Sequence, residues 1–293
     1  MPEKRIFGNF SIGDWVIVFL CCVLILSCIL PILSLLARSL STPDAILLGQ
    51  VTFVPVGFNL NAYHFVIRDP RIIRALVFTV ILTAVFTVTA MFLTIILAFP
   101  LTYNSLKGRK IINFMVIFTL YFSVGIIPTY LLYRDLNLLN NPLVLVLPNA
   151  INVINMLIMR TFFFNIPMSL RESASMDGAG PVTILLKIYL PLSTAVIATL
   201  SLFFAVGRWN GFYDAVMFIQ NRMFHPIQVL LYNVLDNNVQ IGSTASYEGF
   251  TTPGRPETMR AASVMVTMLP ILMVYPFLQK YFIKGATLGA LVE

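Results

Sequence analysis

Polar side chains that could do chemistry are rare in this sequence, and one group of them lies in a short segment, 171–179, between two long apolar blocks. Ser169 is a candidate N-cap for a helix, and Glu172 three residues later completes a capping box worth about 1 kcal/mol. Gly178 is placed to end this helix, because glycine tolerates the left-handed conformation found at helix C-termini. Pro181 suits the first turn of a second helix. The residues predict a helix, a bend and a second helix, and they leave open whether this elbow is structural or docks a partner.

A second group consists of three amides, Asn149, Asn152 and Asn155, inside the fourth apolar block. Their spacing predicts that they share one face of a helix over about two turns. Burying three amides against lipid would be costly, so this face should point into a helical bundle. Two interpretations remain open: the amides join helices, at around 0.6 kcal/mol per hydrogen bond, or they line a polar path.

The third group, Arg208-Trp209-Asn210, lies within the fifth apolar block. An arginine inside a membrane span is a functional hypothesis by default. Trp209 offers an apolar plate for a ring, and Arg208 could meet a hydroxyl or a carboxylate. The alternative is that Arg208 lies near the membrane boundary or pairs with Asp214, and that Trp209 is interfacial. These residues and the three amides are the candidates for a substrate path.

The residue patterns of most catalytic sites are missing. The sequence has no G-x-x-x-x-G-K-[ST] loop that could hold ATP phosphates. Its two histidines, His64 and His225, fall in predicted outside loops, and neither belongs to a cluster with metal-ligand spacing. The cysteines all lie in the first apolar block, which predicts packing roles for them. We therefore expect neither catalysis nor a metal site in this chain.

Composition predicts an integral membrane protein. Residues are 58% apolar and only 11% charged, and the apolar residues form uninterrupted blocks. We expect helices, because an open strand cannot satisfy its backbone in lipid. The fold class is an all-α membrane protein with six transmembrane helices, at about 14–37, 72–100, 111–132, 142–164, 191–219 and 260–283. The net charge of +7 suits loops that face anionic lipid and partner proteins rather than nucleic acid.

Basic residues predict the orientation. With the amino terminus in the cytoplasm, every lysine falls in a segment predicted to be inside, including the cluster Lys107–Lys110 in a very short loop. Both termini are then cytoplasmic. The predicted segments are a cytoplasmic amino-terminal segment 1–13, a first span with a long external loop 14–71, a five-span core 72–283 and a cytoplasmic tail 284–293. The core includes a cytoplasmic loop 165–190 and an external loop 220–259.

A family resemblance narrows the function of the elbow. The run Glu172–Ala179, followed by Ile188-Tyr189-Leu190-Pro191, resembles the E-A-A/D-G-A…I-x-L-P signature of ABC importer permeases, with Ser173 where the family favours Ala. The stretches 160–163, 204–210 and 269–277 resemble the carbohydrate-uptake branch. Within that branch the chain is similar to permeases of oligosaccharide and polysaccharide importers, including alginate-type importers.

The resemblance implies a transporter in the bacterial cytoplasmic (inner) membrane that imports carbohydrate. Two permeases form the pore, and the second is expected to be a homologue rather than another copy. Two ATPase subunits bind ATP and Mg and hydrolyse the ATP, and an extracytoplasmic solute-binding protein delivers the sugar. The short helix becomes the coupling helix that meets the ATPase. Its implied coupling residues are Ser169, Glu172, Ser173, Ala174, Asp177, Gly178, Ala179 and Pro191. The alternative is a non-transporting scaffold or signalling subunit that docks a cytoplasmic partner.

Overall fold

The computed structural model describes residues 12–122, 124–235 and 257–273, and every regular element in these ranges is helical. The helices are α1 Ile12–Ser39, α2 Pro43–Leu47, α3 Asn61–Arg68, α4 Pro70–Ala98, α5 Arg109–Tyr121, α6 Ile126–Asp135, α7 Val153–Phe164, α8 Met168–Met176, α9 Pro181–Leu192, α10 Thr194–Asn210, α11 Tyr213–Phe218, α12 Ile227–Leu235 and α13 257–273. Short 3₁₀ turns lie at Pro100–Thr102, Pro142–Leu145 and Arg222–Phe224. Residues 1–11 of the predicted amino-terminal segment, 236–256 of the predicted external loop, 274–283 of the predicted sixth span and the predicted tail 284–293 lie outside the described residues.

The chain divides into two compact units, and the first comprises Met1–Pro70 and Val234–Thr267. In this unit, the end of α1 and the segment that follows it share a small buried cluster of Ala37, Ala45 and Val51. The surface of α1 is almost entirely apolar and exposed. Cys21, Cys22 and Cys28 are free thiols on that exposed surface, so they do not pack inside this chain as predicted.

The second unit, Arg71–Asn233 with Met268–Glu293, contains the main hydrophobic core. Helix α4 contributes Leu82, Phe86 and Ala90 to this core, at a spacing of four residues that places them on one face. Helix α7 contributes Met156, Met159 and Phe163, and α10 contributes Leu200 and Phe204. These apolar faces fix α4, α7 and α10 relative to one another, and α8 and α9 extend from α7 and α10.

The predicted spans agree with the structure in part. Among the described residues, helices Gly13–Ser39 and Pro70–Thr102 are long and apolar enough to cross a membrane, and the total there reaches up to five if each of three bent helix pairs counts as one span. The bent pairs include α5 with α6, at 116°. Gly125 lies in the break between α5 and α6, just before Ile126. Its φ of 80° and ψ of 176° form a backbone conformation that is essentially restricted to glycine.

Three predicted boundaries, in two spans, differ from the helices of the structure. The fourth span begins as a helix only at Val153, because Pro142–Leu145 forms a 3₁₀ turn and residues 146–152 are not helical. The fifth span begins at Thr194 rather than at Pro191, since the chain bends by 83° between α9 and α10. It ends at Asn210, where Gly211 takes an extended conformation.

Candidate functional site

The elbow starts differently from the prediction. Helix α8 begins at Met168, and its N-cap is Pro167, with an extended ψ of 127°. Ser169 is therefore already inside the helix, and within the described chain no side chain caps it. The predicted capping box of Ser169 and Glu172 is wrong, because the fixed φ of Pro167 starts the helix earlier. Glu172 is instead an exposed residue of the helix surface.

The end of α8 confirms the prediction for Gly178. This residue has a φ of +81°, in the left-handed region. The Gly178 amide donates to the Ser175 carbonyl at 3.1 Å, and the Ala179 amide donates to the Ala174 carbonyl at 2.9 Å. These two bonds are the Schellman arrangement, which satisfies carbonyls that a helix end leaves free. The bend after α8 is therefore set by backbone geometry at one glycine.

The second arm of the elbow also follows the prediction at its start. Pro181 occupies the first turn of α9, after Gly180 as N-cap. The helix widens to a π-type turn at Leu185–Tyr189 and ends at Leu192. Pro191 thus lies in the last turn of α9, just before the bend at Ser193. The Ser193 amide donates to the Tyr189 carbonyl at 3.0 Å, which closes this helix end.

The elbow exposes most of its signature residues. Helix α8, which is described throughout, has no buried residue. Exposed positions in the elbow are Ser169, Glu172, Ser173, Met176, Asp177, Gly178 and Pro191. Ala174 and Ala179 are partly buried and pack against the main core. Met176 is 83% exposed, so the acidic surface of α8 carries an uncovered apolar side chain at its end. A helix with these features can bind a partner without losing contacts of its own.

An aromatic cluster packs against the elbow, and it was not predicted from the sequence. The Phe99 ring packs edge-on against Tyr189 at 5.0 Å, Tyr103 at 5.3 Å and Phe163 at 6.3 Å between centroids. It joins the end of α4 to α7 and α9. Burial raises the pKa of the Tyr103 phenol, and the nearby Arg171 guanidinium opposes this rise. The available signal was that aromatic residues occur in each of three separate segments of the sequence. Which of these rings pack together depends on the tertiary fold.

The three amides do not share one helix face. Asn149 lies in a turn before α7, and its amide donates to Asp214 Oδ2 at 3.3 Å. Asn152 is the N-cap of α7, and its side-chain Oδ1 accepts a hydrogen bond from the backbone N–H of Asn155 at 3.0 Å. Pro148 and the asparagine cap explain the difference, because both favour a helix start after residue 152. Asn149 and Asn152 are exposed and Asn155 is half-buried, so their lining of a path stays a prediction.

Arg208 forms a buried ion pair, as the alternative interpretation predicted. Its Nη1 and Nη2 contact the Asp214 carboxylate at 2.5 and 2.9 Å, and the Arg208 side chain is only 3% exposed. Nη1 also donates to the Leu145 carbonyl at 3.0 Å, and Nη2 donates to the Gly211 carbonyl at 3.2 Å. The guanidinium thereby joins the ends of α10 and α11 to the 3₁₀ turn at Pro142–Leu145. Arg208 therefore joins parts of the fold here, and its part in a substrate path stays a prediction.

Trp209 and Asn210 take different positions around this ion pair. Trp209 is 6% exposed and belongs to the buried interior, so it offers no free plate to a sugar ring in this structure. Asn210 is exposed, and its amide donates to the Val206 carbonyl at 3.0 Å. Of the three consecutive residues, only Asn210 keeps an exposed polar side chain, and its part in a path stays a prediction.

Asn140 also has a structural role, which was not predicted from the sequence. It has a φ of +58°, and its Oδ1 accepts hydrogen bonds from the amides of Gln220 at 3.2 Å and Asn221 at 2.8 Å. Its own amide donates to the Phe218 carbonyl at 2.8 Å. The available signal was Asn140-Asn141-Pro142, since asparagine tolerates the left-handed region in turns.

This chain is similar to known proteins over nearly its whole length. No protein-family model matches it. It is 39% identical over 265 residues to the polygalacturonan/rhamnogalacturonan transport system permease protein YtcP of Bacillus subtilis, over 90% of this chain and 93% of that protein. It is 37% identical to Protein LplC of the same organism, over 89% and 88%. A solved bacterial ABC transporter involved in the import of the acidic polysaccharide alginate has a chain with TM-score 0.86 and 31% identity, covering 94% of this chain and 100% of that chain.

An all-helical chain with membrane-length apolar helices and an exposed helical elbow has the architecture of a membrane permease. Identity of 39% over 90% of its length then fixes the relationship: the chain belongs to the family of carbohydrate ABC transporter permease subunits. Its function is that of a permease subunit of a carbohydrate importer. The resemblance inferred from the elbow is confirmed, and the non-transporting scaffold is disfavoured.

Proposed function

We propose that this permease imports fragments of an acidic polysaccharide. The single observation that carries the proposal is similarity over nearly the full chain to a polygalacturonan/rhamnogalacturonan permease and to a transporter of the acidic polysaccharide alginate. Arg208 adds nothing to it, because its charge is already neutralised by Asp214. Exposed amides at Asn149, Asn152 and Asn210 would bind sugar hydroxyls along the path.

The substrate proposal is tested by uptake in a bacterial strain deleted for this chain. We expect the deletion to abolish uptake of labelled oligogalacturonate or oligoalginate, because no other subunit would complete the pore. Uptake of a neutral oligosaccharide through an unrelated importer should be unchanged, and this serves as the control. Complementation by the intact gene should restore acidic uptake. A deletion strain that still imports both acidic sugars at the normal rate would refute the substrate assignment.

The elbow would couple this path to ATP. In the proposed assembly α8 sits on a separate ATPase subunit, which binds ATP and Mg and performs the hydrolysis. Glu172, Ser173 and Asp177 form an acidic and polar docking surface, and Met176 adds an apolar contact. The partner surface should therefore be basic around an apolar groove. A second, homologous permease and an extracytoplasmic solute-binding protein complete the proposed importer.

The proposed topology has six spans, with both termini in the cytoplasm of a bacterium and the elbow on the cytoplasmic face. Its support is the placement of every lysine on one side, with Lys107–Lys110 in a short connector, where the positive-inside rule applies best. In this arrangement α1 and α4 are spans, and α5 with α6 forms one bent span. Helices α7 and α10 are spans without the elbow helices α8 and α9, and the sixth span extends from α13.

The sidedness of the elbow can be measured with introduced cysteines. In a background lacking Cys21, Cys22 and Cys28, a cysteine at Ser175 should react with a membrane-impermeant maleimide only in inside-out vesicles. Ser175 is exposed on α8, so the reagent can reach it. A matched cysteine at Leu48, which is 71% exposed on the predicted external segment, should react only in right-side-out cells. The reverse pattern at either position would overturn the topology.

A further inference from the structure

Two connectors next to the elbow contact each other through arginine side chains that lie over aromatic rings. The first connector, residues 99–109, leads from α4 into α5, and the second, residues 164–171, leads from α7 into α8. The Arg171 guanidinium carbon lies 4.5 Å from the centroid of the Tyr103 ring, and the Arg109 guanidinium carbon lies 5.7 Å from the centroid of the Phe164 ring. Each connector thus gives one arginine and receives one. Both distances are within the range of cation–π attraction. We call this pair of contacts the arginine clasp.

The ring of Tyr103 is firmly held on its other side. It packs edge-on against Phe99 at 5.3 Å, and Phe99 in turn contacts Tyr189 of α9 at 5.0 Å. In the described part of the chain, the Tyr103 hydroxyl is buried without a hydrogen-bond partner. The contact with Arg171 therefore depends on the ring and not on the hydroxyl. This distinction makes phenylalanine a matched control at position 103.

Arg171 is the charged residue of α8 that turns inward. Its neighbour Glu172 is exposed, whereas Arg171 is half-buried over the Tyr103 ring. Two faces of one helix thus have different surroundings: one is free for a partner, and the other contacts the end of α4. Arg109 completes the second contact of the clasp, and its guanidinium also donates to the Asn104 side chain within the first connector. A displacement of α8 would pull on the first connector through Arg171 and Tyr103.

We propose that the arginine clasp transmits movement of α8 to α4 and α5, with Arg171 and Tyr103 as positioning residues. The inference rests on the proposed function, in which α8 docks on an ATPase. Cation–π contacts at partly exposed sites are individually weak. Two such contacts can open and close in each transport cycle, which a buried ion pair could not do without a large cost. The clasp would set the yield of transport per ATP rather than the binding of the ATPase.

The test uses the assembled importer in proteoliposomes, with ATPase and binding protein present, and measures both ATP hydrolysis and sugar uptake. Arg171→Gln and Tyr103→Leu should each lower the amount of sugar moved per ATP by about two- to five-fold, the size expected for losing one partly exposed cation–π contact. The double variant should be no worse than either single variant, because both remove the same contact. Arg109→Gln, Phe164→Leu and their double variant test the second contact in the same way, and we expect the same pattern of losses.

The controls separate ring, charge and location. Tyr103→Phe keeps the ring and should retain the wild-type ratio of sugar to ATP. Lys107→Gln removes a charge from an exposed position of the same connector and should also retain it. All variants should copurify with the ATPase in wild-type amounts. These controls distinguish transmission from a loss of positive charge or a failure of assembly.

Three results would overturn the clasp. The first is an unchanged ratio of sugar to ATP in Arg171→Gln and Tyr103→Leu, and the second is additive losses in their double variant. The third is loss of ATPase copurification in Arg171→Gln, which would make Arg171 a docking residue. None of these results would count against import itself. The proposed function fails separately if the wild-type complex takes up no acidic oligosaccharide or if α8 does not bind the ATPase.

Discussion

Replacing Gly178 by valine should uncouple ATP hydrolysis from uptake, whereas replacing it by asparagine should leave coupling close to normal. The reason is conformational: Gly178 has a φ of +81°, which costs a residue with a Cβ roughly 1–2 kcal/mol and a β-branched residue more. Asparagine tolerates this region. An added Cβ would meet no atom within 4 Å, so steric contact with neighbours is not the cause.

The expected size of the coupling defect follows from the fraction of molecules that keep the bend after α8. A cost of about 1–2 kcal/mol changes that population by a factor of roughly 5–30. The valine variant would straighten or fray the end of α8, because the bonds from the Gly178 and Ala179 amides need the left-handed residue. The measurement is sugar uptake and ATP hydrolysis by the reconstituted complex, with membrane insertion checked by labelling Ser175→Cys in the same variant. Equal coupling by the valine and asparagine variants would contradict the argument.

Glu172→Lys is the companion variant, and the structure makes its result easier to interpret. Had Glu172 closed a capping box, its replacement would have weakened α8 and the docking surface together. Since the N-cap is Pro167 and Glu172 is exposed, the charge reversal should leave α8 intact. We expect loss of uptake and of ATPase copurification with normal insertion. Glu172→Gln is the milder control, because it removes the charge without reversing it. Normal copurification of the ATPase with Glu172→Lys would show that the Glu172 side chain has no role in docking.

The elbow was predictable from sequence because its determinants are local. Gly178 ends α8 and Pro181 starts α9 through their own backbone preferences, which neighbouring helices do not change. The capping box failed for a local reason as well: Ser169 fits the pattern, but Pro167 starts the helix two residues earlier. A pattern of capping residues therefore identified the helix but not its first residue.

The candidate path was less predictable because its residues depend on long-range contacts. The spacing of Asn149, Asn152 and Asn155 matches a helix face, yet the helix begins after Asn152. The pairing of Arg208 with Asp214 requires the chain to turn back at Gly211, and a Cβ there would lie 2.7 Å from Arg208 Nη2. Sequence spacing offered this pair only as an alternative to a substrate contact. The ion pair is seen only once the chain is folded, because both its geometry and its burial are properties of the folded chain.

The largest effect on stability is expected at this ion pair. Asp214→Ala would leave the Arg208 guanidinium buried without its carboxylate, which typically costs about 3–5 kcal/mol. Arg208→Met would be less severe, because Asp214 is 17% exposed and Asn149 still donates to it. The measurement is thermal unfolding of the purified complex in detergent, together with the amount of chain in the membrane. Asp214→Ala should lower both strongly.

A double variant separates the need for a charge from the need for a packed side chain. Arg208→Met with Asp214→Leu should recover much of the stability lost in Asp214→Ala, because replacing both ions by apolar groups removes the unpaired buried charge. The exposed pair Arg134–Asp135, at 3.0 Å with side chains 59% and 66% exposed, is the matched control. Asp135→Ala should change stability by about 1 kcal/mol or less, because solvent screens exposed ion pairs.

If the double variant were as unstable as the sum of its single variants, the pair would act through something other than mutual neutralisation. If it were stable but inactive in uptake, the Arg208–Asp214 charges would have a role in transport beyond joining α10 and α11 to the Pro142–Leu145 turn.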